Sequence, residues 1–205
     1  MSARMIHAGS ARRLKPFVLV DCMASDESAL ERQLFGADPA APGRCAGSHP
    51  VLAHGGSLFL DDVDGLSSRL QAKIVRALKK RRGRRVGASR FFNIDTRVLA
   101  ASTQELQRLC SSSEFRENFY WYLNVVPIVL CPLRERVEDV EALAQCVLQT
   151  FLSHKHGSQQ VPSGFTPLAR RLLLHYAWPG NVRELRNVIE RAAVFADGSL
   201  IDLVH

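Results

Sequence analysis

Short apolar runs alternate with amphipathic stretches along about the first two thirds of the chain. Each run has the length of a strand, ends in polar residues and predicts a strand that is at least partly buried. The predicted strands are Phe17 to Val20, Ser57 to Asp61, Phe91 to Asp95, Thr96 to Ala101 and Val125 to Leu130.

The amphipathic stretches between these runs predict helices. Ser25 to Phe35 ends at Gly36, and a glycine is the usual residue just after a helix. A second predicted helix, Ser67 to Lys80, has apolar residues at helical spacing, and Glu117 to Leu123 predicts a third. The Gly36 to Gly56 segment is rich in alanine, proline and glycine and predicts a loop.

After about residue 135 the pattern predicts helices only. Val137 to His154 is amphipathic, and Thr166-Pro167 predicts the start of a helix that runs to about Tyr176. Asn181 predicts the cap of a final helix, with Glu184 as its capping-box partner. The expected fold is therefore an α/β domain with a parallel sheet over residues 1–135, followed by a small all-helical domain over residues 136–205.

Composition argues against a disordered, a membrane-spanning or a secreted protein. The chain has 205 residues, of which 46% are hydrophobic, so it can bury a substantial core. No apolar run approaches the roughly 20 residues that span a bilayer, and the N-terminal residues lack the apolar region of a secretory signal. The five cysteines are scattered without C-x-x-C spacing, which favours free thiols and a cytoplasmic protein.

The net charge of +7 is concentrated at one place. Six positive charges lie in the stretch Lys79 to Arg85. This stretch predicts either a solvated basic helix end or a patch that binds phosphates, nucleic acid or an acidic partner. It lacks interleaved aromatic residues, which single-strand binders use for stacking, so nucleic-acid binding is the less favoured alternative.

The segment Gly55 to Asp64 carries the clearest chemistry. Its predicted strand ends in two adjacent carboxylates, Asp61 and Asp62. Nucleotide hydrolases place acids at such strand ends to hold magnesium and orient water. The phosphate-binding loop that usually accompanies them, G-x-x-x-x-G-K-[ST], does not occur, because no lysine in the chain is followed by serine or threonine.

Nine stretches, taken in order, resemble the AAA+ domain of sigma-54-dependent transcription activators, the bacterial enhancer-binding proteins. Any one of them is weak, but the ordered set spans nearly the whole chain. The stretches are Pro16 to Cys22, Glu31 to Gly36, Gly55 to Asp64, Leu70 to Lys73, Arg97 to Ala101, Phe115 to Glu117, Leu123 to Ile128, Pro132 to Arg136 and Trp178 to Leu185.

The resemblance implies rings of subunits that bind ATP and Mg²⁺, hydrolyse ATP and remodel RNA polymerase bound to sigma-54. It implies that Asp61 organises magnesium through water and that Asp62 stands where a glutamate polarises the attacking water. Arg116 matches an arginine that reaches into a neighbouring subunit's nucleotide site. Thr103 falls in the first sensor, and Arg183 matches the second-sensor arginine of the helical lid. Arginine suits both of its positions because its guanidinium is always charged and forks onto two oxygens.

Several positions depart from the family's pattern. Asp62 replaces glutamate, Asp21 replaces asparagine, and Ser102-Thr103 replaces Thr-Asn. Tyr122 stands where a second inter-subunit arginine is expected. The stretch from Ala37 to Ser48 lacks the Gly-Ala-Phe-Thr-Gly-Ala loop that contacts sigma-54.

The resemblance further implies that the chain begins just after the phosphate-binding loop and lacks the strand that precedes it. Losing that strand would leave a sheet edge with unpaired backbone groups. Three functions therefore stay open. The chain is an activator domain with impaired or absent ATPase activity, a non-enzymatic module that joins or inhibits rings of intact homologues, or a nucleic-acid binder that uses Lys79 to Arg85.

Overall fold

The computed structural model describes residues 2–24, 26–36, 55–153, 162–196 and 200–202. The chain divides into two compact units, Met1–Pro127 and Ile128–His205. The domain boundary predicted at residue 135 lies a few residues beyond this division. None of the helices in the described ranges combines the length and apolar character that crossing a bilayer requires.

The first unit is a parallel sheet packed with helices. Its strands and helices, in chain order, are α1 (Ser2–Ala8), β1 (Phe17–Asp21), α2 (Glu27–Phe35), β2 (Ser57–Asp61), α3 (Ser68–Lys80), β3 (Arg82–Arg84), β4 (Phe91–Asn93), β5 (Arg97–Ala100), α4 (Leu106–Ser111) and α5 (Glu117–Leu123).

Three parallel strands form the central sheet in the order β1-β2-β5. The middle strand, β2, holds the predicted bounds of Ser57–Asp61, and its Leu58 and Leu60 are almost fully buried. Because parallel strands in this register end together, Asp21 lies directly beside Asp61 at the carboxyl end of the sheet. The sheet therefore places two acidic strand ends next to each other.

Helix boundaries follow from local capping. The side chain of Asp26 accepts a hydrogen bond from the Ala29 amide, so α2 begins at Glu27, and the predicted start at Ser25 lies outside the described residues. Gly36 ends α2 in a positive-φ conformation, as the pattern predicted. Ser67 caps α3 by accepting from the Leu70 amide. The predicted loop between Gly36 and Gly56 lies almost entirely outside the described residues.

The predicted strand from Val125 to Leu130 is wrong. The segment forms no strand, and its large apolar side chains at Val125, Val126, Ile128, Val129 and Leu130 are 63–87% exposed. An apolar run becomes a strand only when a neighbouring strand satisfies its backbone groups. The segment pairs with none of the strands in the described ranges.

The basic stretch Lys79–Arg85 is not a simple helix end. Helix α3 stops at Lys80, Arg81 adopts a left-handed conformation, and the chain turns into the antiparallel hairpin β3–β4. Gly83 is required in this hairpin, since a Cβ there would lie 2.5 Å from the ring of Phe92. The cations of this stretch therefore lie partly on the end of α3 and partly on the hairpin.

The second unit is mainly helical around its own core. Its elements are α6 (Glu138–Ser153), β6 (Gly164–Phe165), α7 (Pro167–His175), α8 (Asn181–Phe195) and β7 (Leu200–Ile201). The parallel pair β6–β7 was not expected, so the unit is not purely helical. Two-residue strands leave no periodicity in a sequence, which is why the pattern missed them.

Capping in the second unit was predicted in part. Thr166 caps α7 as expected, by accepting from the Ala169 amide. Asn181 does not cap α8, since the cap position is Gly180, and the side-chain oxygen Oδ1 of Asn181 accepts instead from the Leu133 amide. Glu184 does reach back, and its carboxylate accepts from the Gly180 amide at 2.8 Å.

Candidate functional site

Four carboxylates belong to the chain segments at the carboxyl end of the central sheet. Asp21 and Asp61 are the last residues of β1 and β2. Asp62 follows with a left-handed backbone, φ 48° and ψ 54°, which aspartate tolerates better than most residues. A short 3₁₀ turn then carries Asp64. The strand ends and this turn together define an acidic edge of the first unit, formed by Asp21, Asp61, Asp62 and Asp64.

Two members of the acidic edge have defined local partners. Asp21 accepts from the amides of Met23 and Ala24, at 2.9 and 3.1 Å, so its carboxylate closes its own loop. Asp64 accepts from the Ser102 hydroxyl at 2.7 Å and from the Gln104 side-chain amide at 3.1 Å. These bonds tie the turn after β2 to the loop after β5.

The hydroxyl that reaches this edge is therefore that of Ser102. Thr103, the predicted first-sensor residue, is exposed to solvent. Ser102 also holds its own loop, because its hydroxyl oxygen accepts from the Gln104 amide. The Gln104 carbonyl oxygen lies 2.8 Å from the same hydroxyl and competes with Asp64 for its single proton. The sensor role of Thr103 stays a prediction.

The pKa of a buried thiol reflects the negative charge of the acidic edge. Cys22 follows β1 directly and is 1% exposed. Burial, followed by the negative charges of Asp21, Asp61, Asp62 and Asp64, raises the pKa of the Cys22 thiol to about 12. The edge is thus a region of negative potential that favours cations.

The raised pKa predicts that Cys22 is inert in the folded protein. Its thiolate is negligible near neutral pH, because pH lies far below the folded-state pKa, and the thiolate is the reactive form. N-ethylmaleimide should label the exposed Cys131 and Cys146 first and Cys22 only after unfolding, as mapped by peptide mass spectrometry. Labelling of Cys22 in the folded chain at the rate of Cys131 would contradict this.

The acidic edge suits magnesium better than it suits a triphosphate. Mg²⁺ is usually held by one or two carboxylates, with waters and substrate phosphates completing the shell. Asp61 can supply one such carboxylate, although across the described ranges no three histidine, cysteine, aspartate or glutamate side chains gather to hold a metal ion. A triphosphate alone would be repelled by the edge, and the chain contains no glycine-lysine loop to cradle it.

Arg116 is positioned by a buried glutamine. Gln71 of α3 is 0% exposed, and its carbonyl oxygen accepts from the Arg116 amide at 2.8 Å. Its side-chain NH₂ donates to the carbonyl oxygens of Leu66 and Glu114, at 2.8 and 3.4 Å. Arg116 then begins α5 as its cap residue, with an exposed side chain. The backbone of Arg116 is held firmly while its guanidinium faces solvent.

Arg116 forms no ion pair among the described residues. Its guanidinium therefore is not committed to the acidic edge of its own chain. Tyr122, six residues on and placed where a second arginine was expected, is partly buried and packs against the core.

Arg183 lies in the second unit. It is exposed on the first turn of α8, two residues after the helix begins. The carboxylate of its neighbour Glu184 accepts from the Gly180 amide at 2.8 Å and from the Tyr176 hydroxyl at 3.1 Å. The hydrogen bond to Glu184 raises the pKa of Tyr176. The helix start beside Arg183 is therefore locally fixed.

Sequence reasoning did not assign roles to Gln71 and Ser102. Gln71 carried a usable signal, because it is a polar residue next to the apolar stripe of α3, and a buried polar side chain must be hydrogen-bonded. Ser102 was named only as part of the pair that replaces Thr-Asn at the first sensor, and a serine after a strand is common in any loop.

Comparison with known proteins gives two consecutive family matches. Residues 1–129 match the sigma-54 interaction domain, and residues 134–205 match an AAA+ ATPase lid domain. The chain is 42% identical over 207 residues to the transcriptional regulatory protein ZraR of Escherichia coli strain K12, covering 97% of this chain and 45% of that protein. It is 40% identical to the Nif-specific regulatory protein of Herbaspirillum seropedicae, covering 99% of this chain and 38% of that protein.

A solved structure agrees with these matches. NtrX from Brucella abortus, crystallised in complex with ATP, superposes with a TM-score of 0.81 at 32% identity, covering 94% of this chain and 43% of that one. The chain thus spans less than half the length of the relatives it matches.

Proposed function

Because the chain belongs to the sigma-54 interaction domain family of AAA+ proteins, we propose that it regulates transcription as one subunit of an AAA+ ring that engages sigma-54 RNA polymerase. The proposal places the protein in the cytoplasm, where RNA polymerase works. The segment expected to contact sigma-54, between Gly36 and Gly55, lies outside the described residues except at its ends.

The observation that carries the proposal is the exposed, rigidly held Arg116. A guanidinium that pairs with nothing in its own described chain, on a backbone fixed by Gln71, is available to a neighbouring molecule. Head-to-tail contacts of this kind generate rings when the rotation closes. In a ring, Arg116 would approach the nucleotide site of the next subunit, where such an arginine raises phosphoryl-transfer rates by about 10³–10⁵.

We further propose that this chain contributes little ATP turnover of its own. Asp62 is one methylene shorter than the glutamate it replaces, and a misplacement of about 1 Å can cost about 100-fold in rate. Asp21 is a carboxylate that already accepts two amide hydrogen bonds, so it has no N–H to offer a neighbouring acid. When Mg²⁺ is bound, Asp61 would hold it through water. The 205 residues contain no G-x-x-x-x-G-K-[ST] motif to cradle the phosphates of ATP.

A second candidate follows from the same geometry. A subunit with a working Arg116 and a weak site of its own would still complete a neighbour's site. Such a chain would modulate rings of intact homologues rather than hydrolyse ATP itself.

Mixing the chain with the region of E. coli ZraR that it matches tests both forms of the proposal. We expect background ATP turnover from this chain alone, and elution of the two proteins together in one particle on size-exclusion chromatography. Arg116→Ala should preserve the mixed particle but lower its ATP turnover, because each site next to this chain would lose about 1000-fold in rate.

Arg108→Ala is the matched control. Arg108 is exposed on α4 and, within the described ranges, pairs only with Glu105, so its removal changes the charge equally without touching the proposed contact. Separate elution of the two proteins would overturn assembly. A mixed particle whose turnover is unchanged by Arg116→Ala would overturn the role of Arg116.

A further inference from the structure

Half of the residues that line a groove on the first unit are basic. The groove has a volume of about 890 Å³ and is formed by α2, α3, the β3–β4 hairpin and the start of α5. A single carboxylate, Glu31, faces seven basic side chains. These are Arg69, Lys73, Arg76, Lys80, Arg82, Arg84 and Arg116, and together they define the cationic groove.

Helix α3 supplies one wall of this groove as a straight row. Arg69, Lys73, Arg76 and Lys80 are spaced by four, three and four residues, so they share one face. At 1.5 Å per residue the row is about 16 Å long. A row of cations of this length matches an extended polyanion better than a single small anion.

The hairpin supplies the opposite side. Arg82 and Arg84 alternate with the buried Gly83, so both point to one face of β3. Phe91 lies directly opposite Arg84 in the ladder, and its ring is 69% exposed. The fold therefore brings an exposed aromatic ring into a basic surface whose sequence contained none.

The basic stretch Lys79–Arg85 is divided by this arrangement. Lys80, Arg82 and Arg84 line the groove, whereas Lys79, Arg81 and Arg85 do not. Arg85 instead lies against Gly36 at the end of α2, within 3.6–3.8 Å of the position a Cβ would take there. Only alternate members of the run belong to the groove.

The charge of the groove is neutralised only at one end. Glu31 pairs with Lys73 at 2.5 Å and with Arg69 at 3.8 Å, and Lys73 also lies over the Phe35 ring. The other end is different. Arg76, Lys80, Arg82 and Arg84 have no ion pair in the part of the chain that the structure describes. Such a group of like charges repels itself and is relieved by a bound polyanion.

We propose that the cationic groove binds the phosphodiester backbone of a single-stranded nucleic acid, with a base stacked on Phe91. Arginine forks onto phosphate oxygens, and a basic groove with an exposed aromatic is the usual design of a single-strand site. An acidic peptide would satisfy the cations but would leave the Phe91 ring in water. Arg116 lines the groove as well, but the proposal rests on Arg76, Lys80, Arg82, Arg84 and Phe91, none of which is placed in the ring contact.

Fluorescence anisotropy with a labelled oligothymidylate tests the proposal. Replacing Arg76, Lys80, Arg82 and Arg84 by glutamine should abolish most binding. It should also lower the slope of log affinity against log salt by about 3, since each single-strand phosphate contact contributes about 0.7. Phe91→Ala should weaken binding by about 5- to 100-fold, whereas Phe91→Trp should retain it.

The control removes four exposed cations elsewhere: Arg13, Lys15, Arg171 and Arg191, each changed to glutamine. It carries the same net charge as the quadruple groove variant and should bind the oligothymidylate nearly as well as the unaltered chain. Circular dichroism and thermal unfolding confirm that each variant is folded. Arg116 and Asp61 stay intact in all of them, so mixed-particle assembly, measured separately, distinguishes failure of this proposal from failure of the ring function.

Four results would overturn the proposal. The first is no binding by the unaltered chain at low salt, and the second is an equal loss of binding in the control variant. The third is tighter binding to duplex DNA than to the single strand. The fourth is unchanged binding by Phe91→Ala together with displacement of the oligothymidylate by a polyglutamate peptide. The last result would assign the groove to an acidic peptide.

Discussion

Gln71→Met is expected to lower the free energy of unfolding of the first unit by about 3 kcal/mol, because the variant leaves buried backbone groups without partners. Methionine has a similar size, so little cavity forms and the loss comes from hydrogen bonding. The groups affected are the Arg116 amide and the carbonyl oxygens of Leu66 and Glu114. The same change frees the start of α5 and with it Arg116.

Urea unfolding followed by circular dichroism gives the first readout. Amide exchange at Arg116 gives the second, which a general loss of packing would not single out, and it should become faster than at core amides of β2. Gln107→Met, at an exposed position of α4, is the matched control and should stay within about 0.5 kcal/mol. A loss below about 1 kcal/mol with unchanged exchange at Arg116 would show that Gln71 does not position it.

Trp178→Ala is expected to destabilise the second unit by about 3–5 kcal/mol, the range for removing a large buried aromatic. Trp178 is 4% exposed, and its indole N–H donates to the Leu173 carbonyl at 2.8 Å. Its ring lies edge-on to the Tyr176 ring, with 4.9 Å between the ring centroids. Alanine leaves a cavity and an unpaired carbonyl together. Trp178→Phe should recover much of the packing but not the hydrogen bond.

The only other tryptophan provides the control. Trp121 is 68% exposed, so Trp121→Ala should change stability by about 0.5 kcal/mol or less. Unfolding is followed by circular dichroism, with hydrogen exchange in peptides of α7 and α8 to localise the effect. Equal losses for the two variants would contradict the burial of Trp178.

The elements predicted well are those with strong local signals. The strand Ser57–Asp61 and the helix Glu117–Leu123 have the predicted bounds, and α3 differs only by its cap residue. In each, an apolar period coincides with clear polar or capping residues at the ends, so local and tertiary preferences agree. The acids at the end of β2 were found for the same reason.

The errors occur where long-range contacts decide. Val125 to Leu130 has the pattern of a strand, but a strand exists only when another strand pairs with it, and this segment pairs with none in the described ranges. Asn181 has the residue type of a cap, yet its side chain is used by the distant Leu133 amide. Neither outcome is encoded within the few residues that a pattern covers.

By itself, the sequence determined the family, the alternation of strands and helices, and the acids at the end of β2, because these depend on residue order and local periodicity. Only the tertiary structure decided that Gln71 holds Arg116, that Ser102 rather than Thr103 reaches Asp64, and that Phe91 joins alternate cations of the basic stretch in one groove. Each of these is a contact between segments that lie apart along the chain. Such contacts depend on the angle and register at which whole elements pack, and local residue patterns carry no record of those.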